Sequence, residues 1–125
     1  MSLLAVAGGG AIGAVGRYGV GMLAVQLAGH GYPWGTLGVN VLGSFLMGVL
    51  VAIFGQAWQP DQAVKLFLIT GFLGAFTTFS AFSLDAITLY ERGAHMHALS
   101  YVASSVILSI AALFAGLYFV RTLIT

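Results

Sequence analysis

The chain has 125 residues, of which 60% are hydrophobic and 6% charged, and its formal net charge is +1. A soluble domain of this size could not cover its surface with so few charges, so lipid is the expected solvent. The chain contains no Cys, which excludes disulfides and thiolate metal sites. The small net charge gives no reason to expect nucleic-acid binding.

Four transmembrane helices are expected because long stretches of the chain lack Asp, Glu, Lys and Arg. These stretches are residues 18–60, 66–84 and 94–120. The first is long enough to cross a bilayer twice. The predicted helices of this single all-α membrane domain, residues 1–125, are about 3–28, 34–54, 62–90 and 98–120. Because Met1-Ser-Leu-Leu carries no basic residue, we expect the first helix to be retained, unlike a cleaved signal peptide.

The first helix ends in a turn cluster, residues 29–33, and carries one embedded charge. Gly9 and Gly13 form a small-x-x-x-small pattern that predicts close helix packing without identifying the partner. Arg17 would cost roughly 2.5 to 3.5 kcal/mol at the membrane centre. Two interpretations stay open: Arg17 attracts an anion, or it reaches an interface or a carboxylate across a dimer.

Two polar stripes at helical spacing are predicted on the second and fourth helices. The first comprises Thr36, Asn40, Ser44 and Gly48, and the second comprises Tyr101, Ser105 and Ser109. Facing stripes of hydroxyl and amide groups could replace the water shell of an ion in steps. Ordinary hydrogen bonding between helices, at about 0.6 kcal/mol per contact, is the alternative.

The third helix has the composition of a broken helix at mid-membrane depth. Two Gly, two Thr and a Ser fall within residues 71–80, and irregular backbone in a membrane indicates a protein-buried or wet functional centre. A continuous helix with ordinary packing of small residues is the alternative. Phe79 and Phe82 alternate with the hydroxyls of Ser80 and Ser83 on this helix. Since a phenyl ring is electropositive at its edge, these rings could favour a partly dehydrated anion, although lipid contact or core packing is the common use.

The charged residues favour an anion over a cation as the transported species. A proton-coupled or cation carrier normally needs an embedded carboxylate, and Asp85 is the only candidate outside the predicted loops. His30, His95 and His97 fall in predicted loops and are too few for a metal site. No arrangement of catalytic residues is apparent, so an enzyme is not expected.

One such bundle is too narrow to contain a pore, so an oligomer is expected. Lys65 and Arg121 fall on one side of the membrane and Arg92 on the other, which is a very weak orientation bias. We therefore expect the chain to insert in both orientations and to pair as an antiparallel homodimer.

Three segments together resemble the Fluc or CrcB family of small bacterial fluoride channels. They are residues 9–18, residues 35–45 and the run Gly71-Phe-Leu-Gly-Ala-Phe-Thr-Thr-Phe-Ser-Ala-Phe-Ser83. The resemblance covers essentially the whole chain. It implies a dual-topology homodimer in the bacterial inner membrane, with two pores for passive fluoride export. The departures from the family pattern are Ala81, where Thr is frequent, and Asp85, where Glu is frequent.

The resemblance also implies roles for individual residues. Backbone carbonyls of Gly74 and Thr77 would hold a structural Na⁺ at the dimer centre, and Arg17 would lie near a pore vestibule. The fluoride pathway would comprise Thr36, Asn40, Ser44, Phe79, Ser80, Phe82, Ser83, Tyr101, Ser105 and Ser109.

Two other functions remain as alternatives. A small multidrug exporter couples proton entry to cation exit and needs an acidic residue in its first helix, which this chain lacks. A non-transporting membrane subunit would use the polar stripes only to bind another protein.

Overall fold

The computed structural model describes residues 1–124, and all of its regular elements are helices. Helix α1 covers Ser2–Ala28 and α2 covers Trp34–Gln56. The third span, Gln62–Glu91, is built from α3 (Gln62–Lys65), a π-helical stretch (Leu66–Leu73), α4 (Gly74–Phe76) and α5 (Phe79–Glu91). Helix α6 covers His95–Ile124. All four spans are long and apolar enough to cross a membrane, as predicted.

The largest difference from the predicted boundaries is at the start of α6. This helix begins at His95, not near residue 98, so His95 and His97 lie in its first turns and the prediction of a loop for them was wrong. Gly93 ends the preceding turn with a φ of 82°. Neither Gly nor Pro occurs again before Gly116, so nothing prevents the helix from starting directly after the turn.

The small-residue pattern of α1 packs within the chain. Helix α1 lies mainly against the π-helical stretch, and α2 lies mainly against α6. A Cβ atom on Gly9 or Gly13 would collide with the carbonyl oxygen of Phe67 or Phe72, respectively. The two glycines therefore let the backbone of α1 touch the backbone of the third span, and this contact supplies the partner that the pattern alone did not identify.

Helices α2 and α6 also cross at glycines. A Cβ on Gly48 would collide with the Leu113 carbonyl oxygen, and one on Gly116 would collide with the Phe45 carbonyl oxygen. The obstacle is backbone in both cases, so relief requires that the helices separate. This contact holds the polar stripes of α2 and α6 at a defined distance.

We expect Gly48→Ala to lower the free energy of unfolding in detergent by about 1 to 3 kcal/mol, the usual cost of overpacking. Gly55→Ala is the matched control because Gly55 is in the same helix and a Cβ atom added to it would meet no heavy atom within 4 Å. Denaturant titration of both variants measures the difference. Equal stability of the two variants would contradict the close crossing.

The outer surface of the protomer is apolar. Leu3, Phe114 and Tyr118 are 86%, 67% and 72% exposed, respectively, as expected for side chains that face lipid or another subunit. Trp34 begins α2 and Trp58 follows its end, where interfacial aromatic residues belong.

The backbone of the third span leaves the helical conformation between Phe76 and Phe79. Thr77 has a φ of −88° and a ψ of 156°, and Thr78 has a φ of −154° and a ψ of 123°. These two extended residues, which we call the interruption, separate α4 from α5. The polar backbone groups that the helix would have satisfied there need other partners.

Candidate functional site

A cavity of about 460 Å³ lies between α2, the third span and α6, beside the two extended threonines. We call it the main cavity. Six of the ten residues predicted for the fluoride pathway line it: Asn40, Ser44, Phe79, Phe82, Ser105 and Ser109. Thr77 and Thr78 also line it, and none of its described lining residues carries a charge. The two polar stripes thus reach one space from opposite helices.

The amide of Asn40 is paired with the backbone of Thr78. Its Nδ2 donates to the Thr78 carbonyl oxygen at 3.2 Å, and its Oδ1 accepts from the Thr78 N–H at 2.8 Å. Both polar groups of one extended residue are thereby satisfied by a single side chain from α2. Asn40 lines the main cavity, and the second N–H of its amide has no protein partner among the described residues.

Thr77 and Thr78 also use their hydroxyls to hold the helix ends. The Thr77 hydroxyl donates to the Leu73 carbonyl at 2.8 Å, and the Thr78 hydroxyl accepts from the Ala81 N–H at 3.2 Å as the N-cap of α5. A Cβ on Gly43 would collide with the Thr77 side-chain methyl. Gly43 therefore lets α2 approach the interruption closely enough for the amide of Asn40 to reach it.

Arg17, from α1, contacts α4 directly before the interruption. Its Nε donates to the Ala75 carbonyl oxygen at 3.0 Å, and its side chain is half-buried. This bond satisfies one of the carbonyls left without a helical partner where α4 ends. The guanidinium also lines a second cavity, of about 500 Å³, between α1, α2 and the third span.

Ser105 presents a buried hydroxyl to the main cavity. The residue is 6% exposed, and its Oγ has no hydrogen-bond partner among the described residues. A buried hydroxyl without a partner costs about 1 to 3 kcal/mol. Such an atom in a cavity wall is suited to a ligand that accepts a hydrogen bond.

The two phenylalanines of the cavity differ in exposure. The rings of Phe79 and Phe82 have centroids 5.5 Å apart and planes inclined by 47°. Phe82 also packs on Tyr101, at 5.3 Å, whereas Phe79 is 78% exposed in the single chain. Phe76, three residues earlier, is buried and stacks on Phe72, so it belongs to the core.

The remaining predicted residues lie outside the main cavity. The Tyr101 hydroxyl, in a fully buried residue, donates to the Asp85 carboxylate at 3.2 Å. The Ser83 hydroxyl donates to the Phe79 carbonyl, and the exposed Ser80 hydroxyl lies 3.3 Å from that of Thr78. Gly74 is exposed and also lines none of the three cavities described here.

Thr36 connects two further cavities. It lines the second cavity with Arg17, and it lines a third, of about 250 Å³, with Asp85 and Arg92 near the end of the bundle. Thr78 lines both the main and the second cavity. The three cavities therefore follow one another from the loop end to the middle of the protein, with a threonine at each junction.

Sequence reasoning missed two pairings at the site. The Asn40–Thr78 pair joins residues 38 positions apart, and the Tyr101–Asp85 pair joins residues 16 apart. The cost of an amide in lipid indicated that Asn40 needs a partner. No pattern in the sequence identified the partner as backbone.

Comparison with known proteins shows similarity to one family along almost the whole chain. Residues 4–117 match the family model described as "CrcB-like protein, Camphor Resistance (CrcB)". A protein of Agrobacterium fabrum named "Fluoride-specific ion channel FluC" is 51% identical over 123 residues, 98% of each chain. Proteins of the same name from Rhizobium etli and Rhodospirillum centenum are 54% and 52% identical, over 97% and 96% of this chain and 97% and 95% of theirs.

Proposed function

Because the chain belongs to the CrcB family, we propose that it is a fluoride-selective channel that lets fluoride leave the cell passively. The observation that carries the choice of ion is the identity of about half the residues with relatives named fluoride-specific ion channels. The four apolar spans make the protein a multi-pass membrane protein. Because exported fluoride leaves the cytoplasm, we propose that the protein lies in the bacterial inner membrane.

The main cavity supplies what a small, strongly hydrated anion needs on its path. Hydroxyls of Ser44, Ser105 and Ser109 and the free N–H of Asn40 can replace water one hydrogen bond at a time. The ring edges of Phe79 and Phe82 add positive potential without a fixed charge. Weak, successive contacts of this kind allow an ion to enter and also to leave.

The interruption at Thr77–Thr78 favours an anion on electrostatic grounds. Helix α5 begins at Phe79, so its N-terminal N–H groups and the positive end of its dipole are inside the membrane beside the main cavity. Arg17 adds a positive charge next to the interruption, where its Nε donates to the Ala75 carbonyl. We therefore interpret this segment as a functional break in the third helix.

The assembly that we propose is an antiparallel homodimer with two pores. Phe79 is too exposed for an aromatic residue that works in a closed pathway, and a second copy would cover it. Because the charge bias between the two sides of the membrane is weak, each copy can insert in the orientation that places the two interruptions together.

A structural Na⁺ at the dimer centre would be held by the carbonyls of Gly74 and Thr77. The residues fit this ion, because carbonyl oxygens are the ligands used for alkali cations in membrane proteins. A Cβ on Gly74 would meet only the Ile69 carbonyl oxygen, at 3.7 Å, so the backbone there is open to a neighbouring copy. When bound, the ion supplies a fixed positive charge that ties the two interruptions together.

The function is tested by ion flux from liposomes that contain the purified protein alone. We expect rapid fluoride efflux and little chloride efflux under the same gradient. Absence of fluoride efflux, or equal movement of chloride, would contradict the proposal. Efflux from a self-sufficient homodimer would also exclude a subunit that only binds a partner protein.

Ser105→Ala should lower fluoride flux about tenfold or more, because a hydrogen bond to an ion is worth about 1.5 to 3 kcal/mol. Stability should stay the same or rise, since the hydroxyl has no partner within the described chain. Ser104→Ala is the control, on the same helix but not in the main cavity. Flux and thermal unfolding are measured for both variants, and a loss of stability without a loss of flux would contradict the role.

A further inference from the structure

Asn40 contacts the segment that contains both carbonyls of the proposed Na⁺ site. In an uninterrupted α-helix, the N–H of Thr78 would donate to the carbonyl of Gly74, four residues earlier. Here that N–H donates instead to Asn40 Oδ1, at 2.8 Å. The carbonyl of Gly74 has therefore lost its helical donor to a side chain of α2.

The neighbouring carbonyls have protein donors. Leu73 O accepts from both the N–H and the hydroxyl of Thr77, and Ala75 O accepts from Arg17. The Thr78 carbonyl accepts from the amide of Asn40. The partners at the interruption thus satisfy the carbonyls on either side of Gly74 and leave that of Gly74 without its usual donor.

We propose that Asn40 is a positioning residue for the cation site as well as a pore residue, because its amide oxygen keeps the Thr78 N–H away from the Gly74 carbonyl. This inference rests on the proposed function, specifically on the Na⁺ site. According to this proposal, the side chain of Asn40 serves both the anion path and the cation site. Occupancy of the cation site and geometry of the pore wall are then coupled through Asn40.

The coupling has a direct physical basis. The nitrogen of the amide, Nδ2, donates to the Thr78 carbonyl and carries a second N–H without a protein partner among the described residues, and Asn40 lines the main cavity. Any rotation of Asn40 that released the Thr78 N–H would also move this second N–H. A cation bound by the Gly74 carbonyl therefore stabilises the Asn40 rotamer in which Oδ1 accepts from the Thr78 N–H.

The test compares two substitutions of Asn40 that differ in whether an acceptor oxygen remains. Asn40→Asp keeps an oxygen that accepts the Thr78 N–H, whereas Asn40→Leu has a similar volume and no acceptor. The thermal unfolding midpoint of each purified protein is measured in increasing NaCl, with N-methyl-D-glucamine chloride as the control salt. The unsubstituted protein and Asn40→Asp should both show Na⁺ dependence, and the added carboxylate should lower the half-saturating Na⁺ concentration, because a negative charge attracts the cation.

For Asn40→Leu, we expect the half-saturating Na⁺ concentration to rise about tenfold, because the Gly74 carbonyl must first give up a hydrogen bond to Thr78. Equal Na⁺ dependence in Asn40→Leu and the unsubstituted protein would overturn the inference. A rise in the half-saturating Na⁺ concentration of Asn40→Asp as large as that of Asn40→Leu would also overturn it. No Na⁺-specific effect in the unsubstituted protein would instead refute the Na⁺ site itself, whether or not the protein conducts fluoride.

A measurement on the unsubstituted protein covers the case in which Asn40→Leu does not fold. Isotope labelling allows the carbonyl carbon of Gly74 and the amide of Thr78 to be followed by NMR during a Na⁺ titration. We expect the Gly74 carbonyl signal to move and the Thr78 amide signal to remain in place, because its acceptor stays Asn40. An unmoved Gly74 signal, or a large shift of both signals, would contradict the proposal.

Discussion

Asn40→Asp should reduce fluoride flux by about a thousandfold while the protein remains folded. A carboxylate about 4 Å from a passing anion repels it by about 4 kcal/mol at an effective dielectric constant of 20, which corresponds to three powers of ten in rate. The Thr78 carbonyl loses its donor from Nδ2, but the fold should survive because the acceptor of the Thr78 N–H is retained. Fluoride efflux from liposomes at neutral pH measures the effect.

The control for this charge is Gln56→Glu. It adds a carboxylate to the exposed last residue of α2, outside the main cavity. This variant should conduct close to the unsubstituted rate, which separates a local effect from that of net charge. Near-normal flux through Asn40→Asp at neutral pH would mean that fluoride does not pass beside Asn40.

Replacing both phenylalanines of the main cavity should have the second largest effect. We expect Phe79→Ile and Phe82→Ile each to lower fluoride flux about tenfold, which corresponds to about 1.4 kcal/mol of barrier, since each removes an electropositive ring edge but keeps apolar bulk. The double variant should lose about a hundredfold if the two effects add. Liposome efflux measures the rates, and size-exclusion chromatography checks that the oligomeric state is unchanged.

The control is Phe114→Ile, because Phe114 lies on the apolar surface of α6 and is 67% exposed. Its flux should be unchanged. A double variant that loses no more than a single one would show that the two rings, 5.5 Å apart, act as one unit. Full flux in both single variants would contradict a role for the rings.

The architecture was predictable from hydropathy because lipid imposes a simple rule. Every span must be long, apolar and internally hydrogen-bonded, so the long uncharged stretches predicted four helices, which is confirmed. The helix ends were less predictable. The predicted loop includes His95 and His97, yet a helix end depends on where the turn closes, and Gly93 closes it two residues before His95.

Periodicity also predicted which side chains share a helix face, and so identified the members of the polar stripes. Periodicity does not show which members of the two stripes line the same cavity. Tyr101 has the same spacing as Ser105 and Ser109, but its hydroxyl pairs with Asp85 outside the main cavity. Tyr101 differs from the two serines because it lies at another depth along α6, where it packs against α5.

Four apolar spans, a glycine- and threonine-rich segment in the third span and a shortage of embedded carboxylates are predictable, because each follows from composition or spacing along one helix. The groups that meet at that segment depend on how the helices pack. Backbone contacts at Gly48 and the close approach at Gly43 set the position of α2, and that position brings Asn40 within hydrogen-bond distance of Thr78. A hydrogen bond between distant residues depends on the depth and rotation of both helices, and neither is encoded in the pattern of one.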